Sequence, residues 1–204
     1  GRRHGGADGA ARAPRLDANL SGRDLDLVAL AEERSGNASP IALLVLSDGE
    51  IRLQGELLNP DSLTGAGRLT RLDIQGPTLG GSMEGATPFH VDRGGTMTID
   101  AAAPLQFVGD RGSRLTLQGN AALFGARQGA LDLVVNGAID FGAIEVLHPD
   151  LLASGRLACD LRIAGRVDAP LFEGTMRATR GRLRLLPYPE SIDGLLVALR
   201  FNGK

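Results

Sequence analysis

At 204 residues the chain has room for one or two domains, and a hydrophobic content of 43% is enough to cover a large surface. The formal charge of −2 provides no field to recruit nucleic acid or an anionic membrane. The single cysteine excludes an internal disulfide and a cysteine-based zinc site, and no apolar run approaches the roughly 20 residues of a membrane-spanning helix.

Aromatic residues make up 3%, with no Trp and one Tyr, Tyr188. Any interior must therefore be filled by Leu, Ala, Val and Ile, which gives a smooth aliphatic lining without polar handles. Basic residues are almost all Arg, and Lys204 is the sole lysine.

Residues 1–15 are rich in Gly, Ala and Arg and read as a flexible lead-in or a poorly ordered preceding strand. They contain neither Met nor the apolar stretch of a signal peptide. From residue 16 onward, short alternating runs recur, each closed by Gly, Asn or Pro. In order these are IRLQG (51–55), MTID (97–100), LTLQG (115–119), LDLVVNG (131–137), RLACDLRIAG (156–165), RLRLLP (182–187) and LLVALRFNG (195–203). In the fifth run Leu157, Cys159, Leu161 and Ile163 alternate with Arg156, Asp160 and Arg162. A period of two describes strands with one dry face and one wet face, and the spacing of turn signals describes an antiparallel meander. About sixteen strands of five or six residues would fit the length. The Pro170 to Gly174 spacing reads as a corner between strands. Asn202-Gly203 is a strong hairpin signal with no returning strand, so the chain reads as a piece of something longer.

Two segments break the alternation, 24–36 and 138–155. Each begins as a strand and then offers one or two helical turns. Leu25-Asp26-Leu27 followed by Leu30 parallels Ile139-Asp140-Phe141 followed by Ile144. Both are followed by a strand ending in Gly and then by Pro, at Gly55 and Pro60 and at Gly165 and Pro170. These parallels suggest an internal repeat of about 110 residues. On this reading 16–204 is one continuous β segment holding two repeats, 16–137 and an incomplete 138–204.

No catalytic constellation stands out. GGSMEG around Ser82 misses the second glycine of a nucleophile elbow by one position. GAGRLT (65–70) has two of the three glycines of a dinucleotide loop and no helix after it. His4, His90 and His148 are scattered, and His148 before Pro149 suits a surface junction. Glu32-Glu33, Asp48 and Glu50 suit solvated faces and turns. The expectation is a protein that is not an enzyme and needs no cofactor or metal. The candidate site is the apolar stripe: Leu115, Leu117, Leu131, Leu133, Val135, Leu157, Cys159, Leu161, Ile163, Leu183, Leu185, Leu195, Val197 and Leu199. In it Cys159 acts as a small hydrophobe. A one-sided row of strands needs a cover, and three architectures supply one: a two-sheet sandwich, a closed barrel, or a sheet folded lengthwise into a U. The lack of rings argues against a dense sandwich. The helical interruptions argue against a barrel.

The stretch from Phe141 to Gly203 resembles the repeating unit of the AsmA-like superfamily, of the TamB type. The matching positions are Ser154-Gly155, Leu157, Leu161, Gly165, Pro170, Leu171, Gly174, Leu183, Leu185, Pro187, Ile192, Leu195 and Phe201. Residues 16–137 follow the same grammar more loosely. The resemblance implies an all-β fold, an elongated antiparallel sheet bent into a U-shaped trough with one or two short helices. It also implies a role as a periplasmic conduit that shields phospholipid acyl chains between inner and outer membranes. An inner-membrane anchor and docking to an outer-membrane barrel belong to regions of the family outside this stretch. The alternatives are a chaperone or scaffold that adds a client strand to an open sheet edge, assisting outer-membrane protein assembly, and a purely structural β-solenoid.

Overall fold

The computed structural model describes residues 14–26, 44–76, 80–142, 145, 150–186, 188 and 190–203. They form β1 (Arg15–Asp26), β2 (Leu44–Glu56), β3 (Asn59–Gln75), β4 (Gly80–Met83), β5 (Thr87–Val91), β6 (Thr96–Ile99) and β7 (Leu105–Gly109). A short 3-10 turn at Asp110–Gly112 leads into β8 (Arg114–Ala122), β9 (Ala130–Asp140), β10 (Leu151–Arg166), β11 (Ala169–Leu185) and β12 (Ser191–Asn202). All twelve strands belong to one antiparallel sheet. The protein is all-β.

The topology is a plain meander with two broken strands. β4 and β5 lie end to end along β3, and β6 and β7 lie end to end along β8. β4 pairs with β7 and β5 with β6, so the two broken strands also pair with each other. Every other strand pairs with its sequence neighbours, from β1 at one edge to β12 at the other. Among the described residues β1 and β12 do not meet, so the sheet is open and is not a closed barrel.

The strands are fewer and longer than the sixteen short ones expected, and β3 and β11 run 17 residues each. The difference comes from glycine. Gly55, Gly119, Gly137 and Gly165 mark the ends of alternating runs in the sequence, yet all four lie within strands. Gly137 has φ 142, and a Cβ there would sit 2.2 Å from the Arg114 carbonyl oxygen on β8. Gly174 has φ 121, with the Asp160 carbonyl oxygen of β10 at the same 2.2 Å from a Cβ. Glycine is needed where two backbones approach this closely, and the strand continues through it. The corner expected at 170–174 is likewise displaced. Pro170 is the second residue of β11, and the turn is the two-residue hairpin Val167–Asp168 just before it. The Gly55 to Pro60 segment also carries a two-residue tip, Leu57–Leu58, between Glu56 and its partner Asn59.

Of the two segments expected to carry helical turns, residues 24–26 end β1, 138–140 end β9 and 151–155 begin β10. Residues 27–36, 143–144 and 146–149 lie outside the described residues, as do 1–13 of the lead-in.

Buried side chains lie on β5 to β8, at Val91, Ile99, Leu105, Phe107 and Ala122, and in a cluster spanning β9 to β11. Phe141, Ala153, Leu157, Cys159 and Ala178 form a buried cluster, and Leu115, Ile139, Met176, Leu183, Leu195 and Val197 pack on it. Ala178 opposite Leu157 leaves room for the larger side chain, and Leu157 is only 2% exposed.

Candidate functional site

Residues directly opposed on antiparallel neighbours project from the same face, so the register defines the rows of that face. One row runs Ala18, Leu53, Gly65, Val91, Met97, Ala121, Leu131, Gly165 and Pro170, crossing from β1 to β11. The next runs Ile99, Gly119, Leu133, Ile163 and Phe172. Leu105, Leu117, Val135, Leu161, Gly174 and Phe201 make a third. A fourth contains Phe107, Leu115, Gly137, Cys159, Met176 and Leu199. The fifth is Ile139, Leu157, Ala178 and Val197. Leu183 opposes Ala153 of the buried cluster, Leu185 follows it on the same face opposite Leu151, and Leu195 opposes Gly181. All of the stripe residues anticipated from the sequence therefore lie on one face.

The face is unevenly covered. Leu157 and Cys159 are buried, and Leu115, Leu117, Leu131, Leu133, Val135, Leu161, Ile163, Leu183, Leu195 and Val197 are half-buried. Leu185 and Leu199 are exposed, as are Phe172 (42%) of the second row and Leu20 (53%), opposite Ile51 on the same face. Among the described residues every strand belongs to the one sheet, so no second sheet packs on this face.

The opposite face is wet and charged. Arg156, Asp160 and Arg162 are exposed there, as the alternation requires. Arg162 donates two hydrogen bonds to the Asp132 carboxylate at 2.7 and 3.0 Å, and Arg52 does the same to Asp17 at 3.1 and 2.9 Å. These guanidinium hydrogen bonds hold the Asp132 and Asp17 carboxyls below the usual range. Arg71 gathers Asp73, Asp24 and Asp48 at 2.6, 2.8 and 3.5 Å. Such exposed pairs knit neighbouring strands but add little stability.

Along the five apolar rows the one ionisable group is the Cys159 thiol, whose pKa burial pushes up. It remains a neutral small hydrophobe, hydrogen-bonded to the Leu157 carbonyl oxygen at 3.6 Å. Among the described residues no group of His, Cys, Asp and Glu is placed to hold a metal, and no buried side-chain polar atom lacks a partner. Ser82 lies on β4, paired with Asp73, and Gly65 and Gly67 of the GAGRLT segment lie in the apolar rows of β3. His90 is exposed on β5, 3.6 Å from Asp100. His4, Glu32, Glu33 and His148 lie outside the described residues. What remains as a candidate site is an aliphatic surface, which can hold apolar material.

Several face residues escaped the sequence reading. Leu105 and Phe107 are among the most buried side chains, at 5% and 6%, and Val91 and Ile99 lie on the same rows. The alternation Leu105-Gln106-Phe107 carried that signal. Ala153 and Ala178 carried none, because alanine suits either face of a strand.

The chain matches no protein-family model, and no curated protein or solved structure matches it. No helix among the described residues is long and apolar enough to cross a membrane.

Proposed function

We propose that this chain is a segment of a non-enzymatic lipid conduit, acting in the periplasm, whose apolar face accommodates phospholipid acyl chains while head groups stay in water. The observation that carries the reading is the single apolar face whose rows together reach from β1 to β12, with no second sheet packed on it among the described residues. The longest row crosses nine strands, about 38 Å at the usual strand spacing. An acyl chain spans about 15 Å, half of a bilayer core. A chain lying along such a row covers less than half of it and can shift from strand to strand without leaving apolar contact. Each methylene kept out of water is worth about 0.8 kcal/mol, so keeping that contact throughout removes the main barrier to transfer. The smooth lining supports weak binding at any one place and little discrimination among head groups.

In this reading the sheet folds lengthwise into a trough. The strand-interior glycines support it, since positions such as Gly137 and Gly174 are where a sheet can coil sharply. The resemblance of 141–203 to the AsmA-like repeat points the same way and rests on the sequence alone. A second reading comes from the sheet edge: β12 has no outer partner among the described residues, so a client strand could be added there. Organic extraction of detergent-free, folded protein followed by mass spectrometry separates the two. Phospholipid in the extract is expected for the conduit. Its absence from a well-folded sample contradicts the conduit and leaves the edge reading.

A further inference from the structure

The hairpin turns at one rim of the sheet form a continuous band linked by backbone hydrogen bonds. Leu57 N–H donates to the Pro14 carbonyl oxygen at 2.9 Å, Gly94 N–H to Asp61 at 3.0 Å, Leu123 N–H to Gly95 at 2.8 Å and Val167 N–H to Gly129 at 2.8 Å. The β2–β3, β5–β6, β8–β9 and β10–β11 turns therefore lie side by side. Two-residue hairpin tips ordinarily carry Asn, Asp or Gly. Here one tip is Leu57–Leu58, and the other, Val167–Asp168, sets a β-branched residue beside the expected Asp; Leu57 is 57%, Leu58 79% and Val167 61% exposed, and Leu123 on the longer β8–β9 turn is 42% exposed. Single exposed aliphatics on a surface need no explanation. Four at one rim, on the β2–β3, β8–β9 and β10–β11 turns, do.

The charges interleaved with these tips narrow the partner. Arg15, Arg93, Arg127 and Arg166 are exposed beside them and are balanced by Glu56, Asp61, Asp92 and Asp168. Two of those carboxylates are already engaged: Asp92 accepts the Thr96 N–H at 2.9 Å, and Asp168 pairs with Arg166 at 3.0 Å. Exposed leucines flanked by arginines fit the boundary of a lipid layer, with aliphatic tips below the head groups and the Arg93 and Arg127 guanidiniums at the phosphates. The local charge balance suits a zwitterionic surface better than an anionic one.

We propose that this rim is a contact site for a zwitterionic lipid surface, with Leu57 and Leu58 as its main anchor. The proposal stands apart from the reading of the apolar face, because the tips lie at the ends of the strands and not on the rows. The test is flotation with phosphatidylcholine vesicles. The unmodified protein is expected to float, and the double variant Leu57→Ser, Leu58→Ser to partition at least tenfold less. Leu196→Ser on β12, equally exposed at 76% but away from this rim, is expected to float unchanged. Far-ultraviolet circular dichroism and thermal melts should match for all three, and lipid extracted from the detergent-free proteins should be the same. Failure of the unmodified protein to float overturns the proposal, as does a double variant that floats like it. Neither result bears on the conduit.

Discussion

Leu161→Asp separates an open apolar face from a sealed core. Leu161 is half-buried in the row Leu117, Val135, Leu161, Gly174 and Phe201, with no second sheet packed on that row among the described residues. Full burial of a leucine side chain is worth about 1.5–3 kcal/mol, so removing this half-buried one costs about 1 kcal/mol. Aspartate in a strand adds up to about 1 kcal/mol of poorer fit. The carboxylate itself keeps access to water and carries no large desolvation cost. The expected total of about 2 kcal/mol lowers the melting temperature by about 4–8 °C for a chain of this size. Leu157→Asp is the contrast. That side chain is 2% exposed in the cluster with Phe141, Ala153 and Ala178. Removing it costs about 2–5 kcal/mol in cavity alone, and the unpaired charge several more. Together these rival the whole stability of an ordinary domain, so Leu157→Asp should not fold. Thermal melts followed by circular dichroism read both variants. A Leu161→Asp protein as damaged as Leu157→Asp refutes the open face.

Gly137→Ala should destabilise far more than an ordinary glycine replacement, because φ 142 and the Arg114 carbonyl at 2.2 Å leave no place for a Cβ. Urea melts are expected to show a loss of several kcal/mol, and a shift under about 0.5 kcal/mol, the range of an ordinary surface substitution, contradicts the close approach. Cys159, buried and with its pKa raised, should resist iodoacetamide at pH 8 in the native protein and react on unfolding in guanidinium. Rapid native alkylation, read by mass spectrometry, shows instead that the β10 row opens to water.

The all-β class and the one-sided patterning were legible because alternation survives wherever aliphatic and charged residues interleave, as in Leu157 to Ile163. That pattern placed the stripe residues on one face without knowledge of their neighbours. Strand length was not legible. Gly119, Gly137 and Gly165 carry the same local signal as turn glycines, and only the neighbouring strand's carbonyl explains their presence inside a strand. The meander's broken strands were hidden for a related reason. β4 and β5 are too short to show a period, and their alignment along β3 is a long-range property. The row containing Leu105 and Phe107 could have been read, since it alternates, but the run is only five residues long.

The central claim is that the apolar rows meet lipid directly, and site-specific photo-crosslinking tests it at single-residue resolution. A photoreactive side chain at position 161 faces the row of Leu117 and Val135, whereas one at 162 replaces an exposed arginine on the wet face beside Asp132. Illumination in phospholipid-producing cells, followed by mass spectrometry of the purified protein, should yield phospholipid adducts at 161 and none at 162. Equal capture at both positions, or capture at neither in a folded protein, contradicts the conduit.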